Sequence, residues 1–438
     1  MSEIFYQEQT RLAVDNFSIS GSGMPAGFIH ALGALKLACA KANLELGELD
    51  KGKANAIIQV GEAIAAGNLD NQFPVDVYQT GSGTSTNMNA NEVIATLASK
   101  QSGLSVHPND DVNMGQSSND VIPSTIHIAS MVMLKQQMMP ALQQIEADLD
   151  DRIDELSATV KTGRTHLMDA MPVTFGQELS GWQAQLRLCR QRIEDTCVRL
   201  CRLAIGGTAV GTGINTQSNF GALTCKYLSE FLDLPFTVTD NHFAAISSQD
   251  TALELSGQLN TLAAALMKIS NDLRWMNSGP LAGLGEITLP KLQAGSSIMP
   301  GKVNPVIPEA VAMACAQTMG YHSAITVAAQ SGNFQLNVML PLIGQNLLLS
   351  QQLLTRSCEH LTRQVITRFT VNKELVEQAL NKNPILVTAL NQRIGYEKGT
   401  EIAKKAYEEK RDILDVAKAM TNIDEEELRS LLDPARLV

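Results

Sequence analysis

Leu259-Asn260-Thr261-Leu262-Ala263-Ala264-Ala265-Leu266-Met267-Lys268-Ile269-Ser270-Asn271-Asp272-Leu273-Arg274-Trp275-Met276 places large apolar side chains at 259, 262, 266, 269, 273 and 276, at spacings of 3, 4, 3, 4 and 3. That rhythm is the seam of a long helix packed against other helices. The same rhythm returns at Trp182, Leu186, Cys189 and Ile193. It returns again at Met131, Leu134, Met138, Leu142, Ile145 and Leu149, within a segment of about 119–156 where Pro140 predicts a kink. A fourth helix is expected from Pro308 to about Gln330 and a fifth from Leu340 to about Phe369. Helices of roughly 25 residues span about 40 Å. They exceed what a lone compact domain needs, and they suit a bundle shared between subunits. The segments before Gly115 and after Lys373 read as smaller flanking domains, so the expected division is 1–115, 116–373 and 374–438.

Composition agrees with helix packing. The chain has 438 residues, 44% of them hydrophobic but only 4% aromatic, with abundant Ala, Leu and Met. A net charge of −11 argues against nucleic acid as a partner. It also means that an anionic ligand needs local donors to overcome a repulsive background. The seven cysteines (39, 189, 197, 201, 225, 315 and 358) contain no CxxC pair. They read as reduced thiols of a cytoplasmic protein, and they do not suit an iron–sulfur cluster. The first ten residues lack the basic and apolar regions of a signal peptide. No run of 18 apolar residues is present to span a membrane.

Four polar segments, expected at or near helix ends, carry the candidate chemistry. The first is Thr80-Gly81-Ser82-Gly83-Thr84-Ser85-Thr86-Asn87, ahead of an apolar helix beginning near Val93. A glycine-spaced hydroxyl loop opening a helix can bind an anion, or can simply cap the helix. The second is His107-Pro108-Asn109-Asp110, followed by Ser117-Ser118-Asn119. The third is Gly163-Arg164-Thr165-His166. The fourth is Gly295-Ser296-Ser297-Ile298-Met299-Pro300-Gly301-Lys302-Val303-Asn304-Pro305, with Glu309 just beyond. Its glycines and prolines make it a loop, and its apolar Ile298, Met299 and Val303 predict that it is packed. Together the segments offer neutral donors with the Lys302 ammonium, imidazole and carboxylate groups. That set fits a small dicarboxylate. No metal-ligand spacing is evident, and no cofactor is expected.

The Ser296 loop resembles the signature of the fumarase/aspartase superfamily, and the likeness runs from about Gln9 to the C-terminus. Within it the chain resembles the class II fumarases. The resemblance implies an all-α, three-domain fold whose long central helices pool into a twenty-helix core in a homotetramer. It implies a lyase that interconverts fumarate and L-malate. Ser296 matches the loop serine that acts as base, and His166 matches a histidine coupled to a glutamate, here Glu309. Ser82, Gly83, Thr84, Asn87, Ser117, Ser118, Asn119, Thr165, Ser297, Lys302, Val303 and Asn304 match substrate-binding positions. His107, Pro108, Asn109 and Asp110 match a second, peripheral dicarboxylate site. In the family the active site draws on three subunits.

The expected chemistry has a physical logic. Removing the carbon-bound proton of malate leaves a carbanion that is tolerable only if its charge spreads onto the adjacent carboxylate. Lys302, Asn304 and backbone N–H groups would hold that charge. Ser296 is a poor base in water, and backbone N–H groups could stabilise its alkoxide. His166 would serve the leaving hydroxide on the opposite face.

Some positions depart from the pattern. The residues that usually precede Gln9-Thr10-Arg11 are mostly missing, and Met114 stands where many fumarases carry Lys. Val306-Ile307-Pro308-Glu309 and Gln335-Leu336-Asn337-Val338-Met339 lean toward aspartase, an aspartate ammonia-lyase. Ser82, His166, Gly206-Gly207-Thr208-Ala209-Val210-Gly211 and Val387-Thr388-Ala389-Leu390-Asn391 lean toward fumarase, which is the preferred reading. A non-catalytic homologue of the lens-protein kind would need broken site residues, and Ser296, Lys302, Asn304, His166 and Glu309 are all present.

Overall fold

The apolar seam at 259–276 belongs to a helix of 27 residues, Asp250–Met276. A computed structural model describes residues 3–438. Met139–Glu155, Phe175–Leu200, Val306–Ala329 and Leu340–Leu361 are the helices of the other four expected segments. The fold is all-α with a few short strands. The segment around Pro140 runs as Ser118–Met133, a wide π turn Leu134–Met138, and then Met139–Glu155. A wide turn there accommodates a residue with no N–H to give and a ring that crowds the preceding turn.

The chain divides into two compact units. One comprises the chain up to Ala141, Cys189–Ala264 and Ala314–Arg356, and the other comprises Leu142–Leu188, Ala265–Met313 and Ser357–Val438. The five helices just named each contribute residues to both.

The first unit is built around Ala26–Glu45, a helix apolar on every side and buried over most of its length. It approaches Lys51–Ala65 so closely that a Cβ on Gly33 would lie 2.6 Å from Ile64 Cγ2, and one on Gly61 would lie 2.9 Å from Leu37 Cβ. Glycine is what permits that spacing. In the second unit the chain after the bundle makes its own small core from Leu386, Leu390, Ile402, Val416, Leu428 and neighbours.

Two expectations need correction. The three apolar seams were expected to exceed what one chain can bury. Leu259, Leu262, Leu266, Ile269, Leu273, Trp182, Leu186 and Ile193 are all completely buried in the single chain, with Met131, Leu142 and Leu149 buried too. The unburied seam lies elsewhere, on Val306–Ala329. There Met313, Ala316, Gly320, Ser323 and Val327, at spacings of 3, 4, 3 and 4, are all exposed. The second correction concerns Gly163–His166, which is not at a helix end. It belongs to an antiparallel hairpin, Val160–Thr165 against Met168–Thr174.

Candidate active site

The first unit holds one group of candidate residues. Gly83, with φ at +72°, caps the helix Thr84–Ser102, which begins nine residues ahead of Val93. A Cβ there would meet Ile122 at 2.9 Å, so glycine is required on both counts. Ser82 and Thr84 share a hydroxyl–hydroxyl bond of 2.8 Å. The helix start is less open to an anion than expected. The Ser85 N–H is taken by Thr80 Oγ1 at 3.3 Å and the Thr86 N–H by Gln79 Oε1 at 2.9 Å.

The next turn docks against this loop. Ser117 forms a capping box with Asp120 at the start of Ser118–Met133. The Asp120 carboxylate also receives N–H bonds from Gly206 at 3.0 Å and Thr208 at 2.8 Å, which binds the 206–208 loop to the turn. Asp120 is fully buried, and burial pushes its carboxyl up to about 6 against those hydrogen bonds. Asn119 Nδ2 donates to Ala209 O at 2.8 Å. Asn87 Nδ2 donates to Ser118 Oγ at 3.2 Å, which joins the two candidate loops. His107 stands apart at the head of a π turn, Pro108–Val112, and its Nδ1 accepts the Asp110 N–H at 3.1 Å. His107, Asn109 and Asp110 are exposed, while Asp111 beside them is buried and paired with Lys53 at 2.8 Å.

The second unit holds the other group. The Ser296 loop closes at a neck, where the Gly295 N–H donates to Lys302 O at 3.1 Å and Asn304 Nδ2 donates to Gly295 O at 2.6 Å. Inside the loop, Ser296 Oγ accepts two backbone N–H groups, from Ile298 at 3.2 Å and Met299 at 3.1 Å. Two N–H dipoles aimed at one oxygen favour negative charge on it. The loop is not packed within the chain as expected, because Ile298 is 83% exposed and Met299 48%. Lys302, Val303, Asn304 and Glu309 line a cleft of about 390 Å³ with Asn271, Arg274 and Asn277. The ammonium, amide and carboxylate are thus brought together, whereas Ser296 and the exposed Ser297 lie outside that lining.

Thr165 and His166 sit at the exposed tip of the hairpin, where His166 and Leu167 occupy left-handed backbone at φ of 55° and 62°. A two-residue turn with two positive φ values ordinarily takes Asn-Gly. His-Leu there stores strain of the kind found at functional positions. Among the described residues, no hydrogen bond joins His166 to Glu309 within one chain. The hairpin is braced by an ion-pair ladder. Lys161, buried, lies 2.7 Å from Glu178 and 2.8 Å from Glu286, and Arg164 lies 2.7 Å from Glu286. Neither Lys161 nor Glu286 was singled out from sequence. A lysine amid Val160 and Thr162 carries no visible periodic signal.

Comparisons with known proteins bear on these groups. A family described as lyase matches residues 2–320, and one described as fumarase C C-terminus matches 386–438. The class II fumarate hydratase of Xylella fastidiosa is 56% identical, over 98% of this chain and 91% of that protein. A class II fumarate hydratase of Pseudomonas aeruginosa is 55% identical, over 99% and 94%. The crystal structure of class II fumarase from Schistosoma mansoni superposes with a TM-score of 0.97 at 36% identity, covering 100% of this chain and 96% of that one. A fumarate lyase:delta crystallin structure from Brucella melitensis gives 0.91 at 38%, covering 99% and 96%.

Proposed function

The chain belongs to the class II fumarate hydratases of the lyase family, and from that premise we propose how its residues divide the reaction. It is a carbon–oxygen lyase that reversibly hydrates fumarate to L-malate. The identity to proteins of that name across nearly the whole chain carries this reading over aspartate ammonia-lyase.

Ser296 is the base that removes the carbon-bound proton of malate. Its Oγ already accepts the Ile298 and Met299 N–H groups, which supports a stabilised alkoxide. Lys302 and Asn304 take the carboxylate whose charge grows as the proton leaves. Asn304 has one N–H committed to Gly295 and a second to give. His166, coupled to Glu309, protonates the departing hydroxide, and in hydration it activates water. Ser82, Gly83, Thr84, Asn87, Ser117, Ser118, Asn119, Thr165, Ser297 and Val303 complete the dicarboxylate's surroundings. Ser117 and Asn119 do so partly by holding the turn in shape. His107 to Asp110 form a separate, exposed dicarboxylate site.

The enzyme works as a homotetramer whose sites draw on several chains. Three features support this. The base loop and the His166 hairpin tip leave their apolar residues exposed, with Leu167 at 61% and Met168 at 69%. The exposed small-residue seam from Met313 to Val327 suits close helix-to-helix contact. His166 and Glu309 lack each other within one chain. The division 1–115, 116–373 and 374–438 follows function, and the separate C-terminal core supports its last boundary. Seven cysteines, none of them in a disulfide, suit a reducing cytoplasm. No helix among the described residues is long and apolar enough to cross a membrane.

One ultraviolet assay tests the function. Purified protein releases fumarate from L-malate and not from L-aspartate. Release from L-aspartate alone would reassign it to the ammonia-lyases.

A further inference from the structure

One buried cation is not used by the roles assigned above. Lys36 lies inside the apolar helix Ala26–Glu45 and is wholly buried. Burying an ammonium is unfavourable unless its protons are received. Its Nζ donates to Asn113 Oδ1 at 2.9 Å and to Gln116 Oε1 at 2.8 Å. An ammonium can only donate, so both amides must turn their oxygens inward. The Asn113 oxygen also accepts Asn87 Nδ2 at 3.1 Å and Asn91 Nδ2 at 3.3 Å. Asn87 must therefore turn its nitrogen toward Asn113, and its other N–H reaches Ser118 Oγ at 3.2 Å. The Asn87 oxygen is left buried without a partner. Turned over, Asn87 would satisfy that oxygen with the Ser118 hydroxyl, but would set it against the Asn113 oxygen.

We propose that Lys36 is a positioning residue for the dicarboxylate site, fixing the amide relay Asn113–Asn87 so that Ser118 accepts from Asn87 and keeps its own proton to donate to a substrate carboxylate. The inference rests on the functional reading above, in which Ser118 contacts substrate. It makes the charge of a residue remote from substrate a determinant of dicarboxylate affinity.

The surroundings of Lys36 make that charge sensitive to pH. Burial lowers Lys36 to about 8, opposed by the negative charge of Asp120. Cys39, one turn along the same helix, is itself pushed up to about 12 by burial and stays a thiol. Cys225, on Phe220–Leu232 beyond it, is likewise raised to about 12. From Ser118–Met133 the facing group is Asp120, and Thr84–Ser102 presents the amides of Asn87 and Asn91. Its one buried carboxylate, Glu92, is engaged by Gln7, Gln9 and Thr10 instead.

The test measures kcat and KM for fumarate across about pH 6.5–9.5 in the wild-type tetramer and two variants. Wild-type kcat/KM should fall above about pH 8. Lys36→Met should lower kcat/KM at neutral pH by about 10- to 100-fold, the worth of one hydrogen bond to a charged group, mostly through KM. It should also lose the fall near pH 8. Asn113→Asp keeps an oxygen toward Lys36, gives up the 3.2 Å donation from Asn113 Nδ2 to Gln116 O, and adds a negative charge beside the ammonium. It should move the fall upward by about one pH unit or more, whatever its activity at neutral pH. Lys36→Met within about twofold of wild type at neutral pH would overturn the proposal. So would an unmoved alkaline fall in Asn113→Asp, which decides alone if Lys36→Met does not assemble. A wild type inactive on fumarate would instead refute the functional reading itself.

Discussion

Gly295→Ala is the sharpest perturbation of the Ser296 loop. Gly295 closes the neck, and a Cβ there would lie 2.2 Å from Lys302 O and 2.7 Å from its carbonyl carbon. Both obstacles are backbone, so no side chain can rotate away. The neck must open by about 1 Å to reach ordinary contact at 3.4 Å. Opening it strains the Gly295–Lys302 bond and the 2.6 Å bond from Asn304, and it displaces Ser296 relative to Lys302. A misplacement of about 1 Å in a reacting constellation costs about 10²-fold in rate. Global stability should hardly change, because the loop is largely exposed. The assay is fumarate formation from L-malate beside a thermal melt. Gly27→Ala serves as control, since nothing lies within 4 Å of its Cβ and it is already helical. Turnover of Gly295→Ala within about threefold of wild type, a barrier change under about 1 kcal/mol, would show that the neck does not hold Ser296 in place for the reaction.

Ser296→Ala should lower turnover by orders of magnitude while leaving the assembly and the melt unchanged, because a hydroxyl is lost but little buried surface. Activity close to wild type would assign the base elsewhere. Gly320→Leu should leave the isolated chain as stable or more so, since its Cβ meets only Gln317 Nε2 at 3.9 Å, yet should abolish the tetramer and the activity by blocking the exposed seam. Leu266→Asp should instead unfold the chain, at upwards of about 4 kcal/mol, because it buries an unpaired carboxylate at a fully buried position. Sedimentation and circular dichroism separate the two outcomes, and a tetrameric, active Gly320→Leu would remove the seam from the interface.

Particular residues show how far the sequence could be read. The helices declared themselves because one face of each is apolar, and Val306–Ala329 and Leu340–Leu361 lie within a few residues of expectation at their starts. What those seams face was not legible. Apolar spacing says that a stripe is buried, not by which chain, and the three seams are buried internally. The exposed seam contains Ala316, Gly320 and Ser323, which carry no hydrophobic signal. The hairpin around His166 escaped because neither strand alternates and its turn lacks Asn-Gly. Lys36 is a single charge in an apolar helix, and its role depends on Asn87 and Asn113, far away in sequence. The loops around Ser82, Ser118 and Ser296 were legible because hydroxyls, amides and glycines cluster there. Their mutual arrangement was not.

If the proposed shared sites take Ser296 from one chain and His166 from another, subunit mixing will reveal it. Ser296→Ala and His166→Asn chains, each inactive alone, are unfolded together in equal amounts and reassembled. Random mixing should leave about a quarter of the sites with both groups intact, so activity should rise to about a quarter of wild type. Mixed tetramers seen by native mass spectrometry, with activity no higher than either variant alone, would contradict the account.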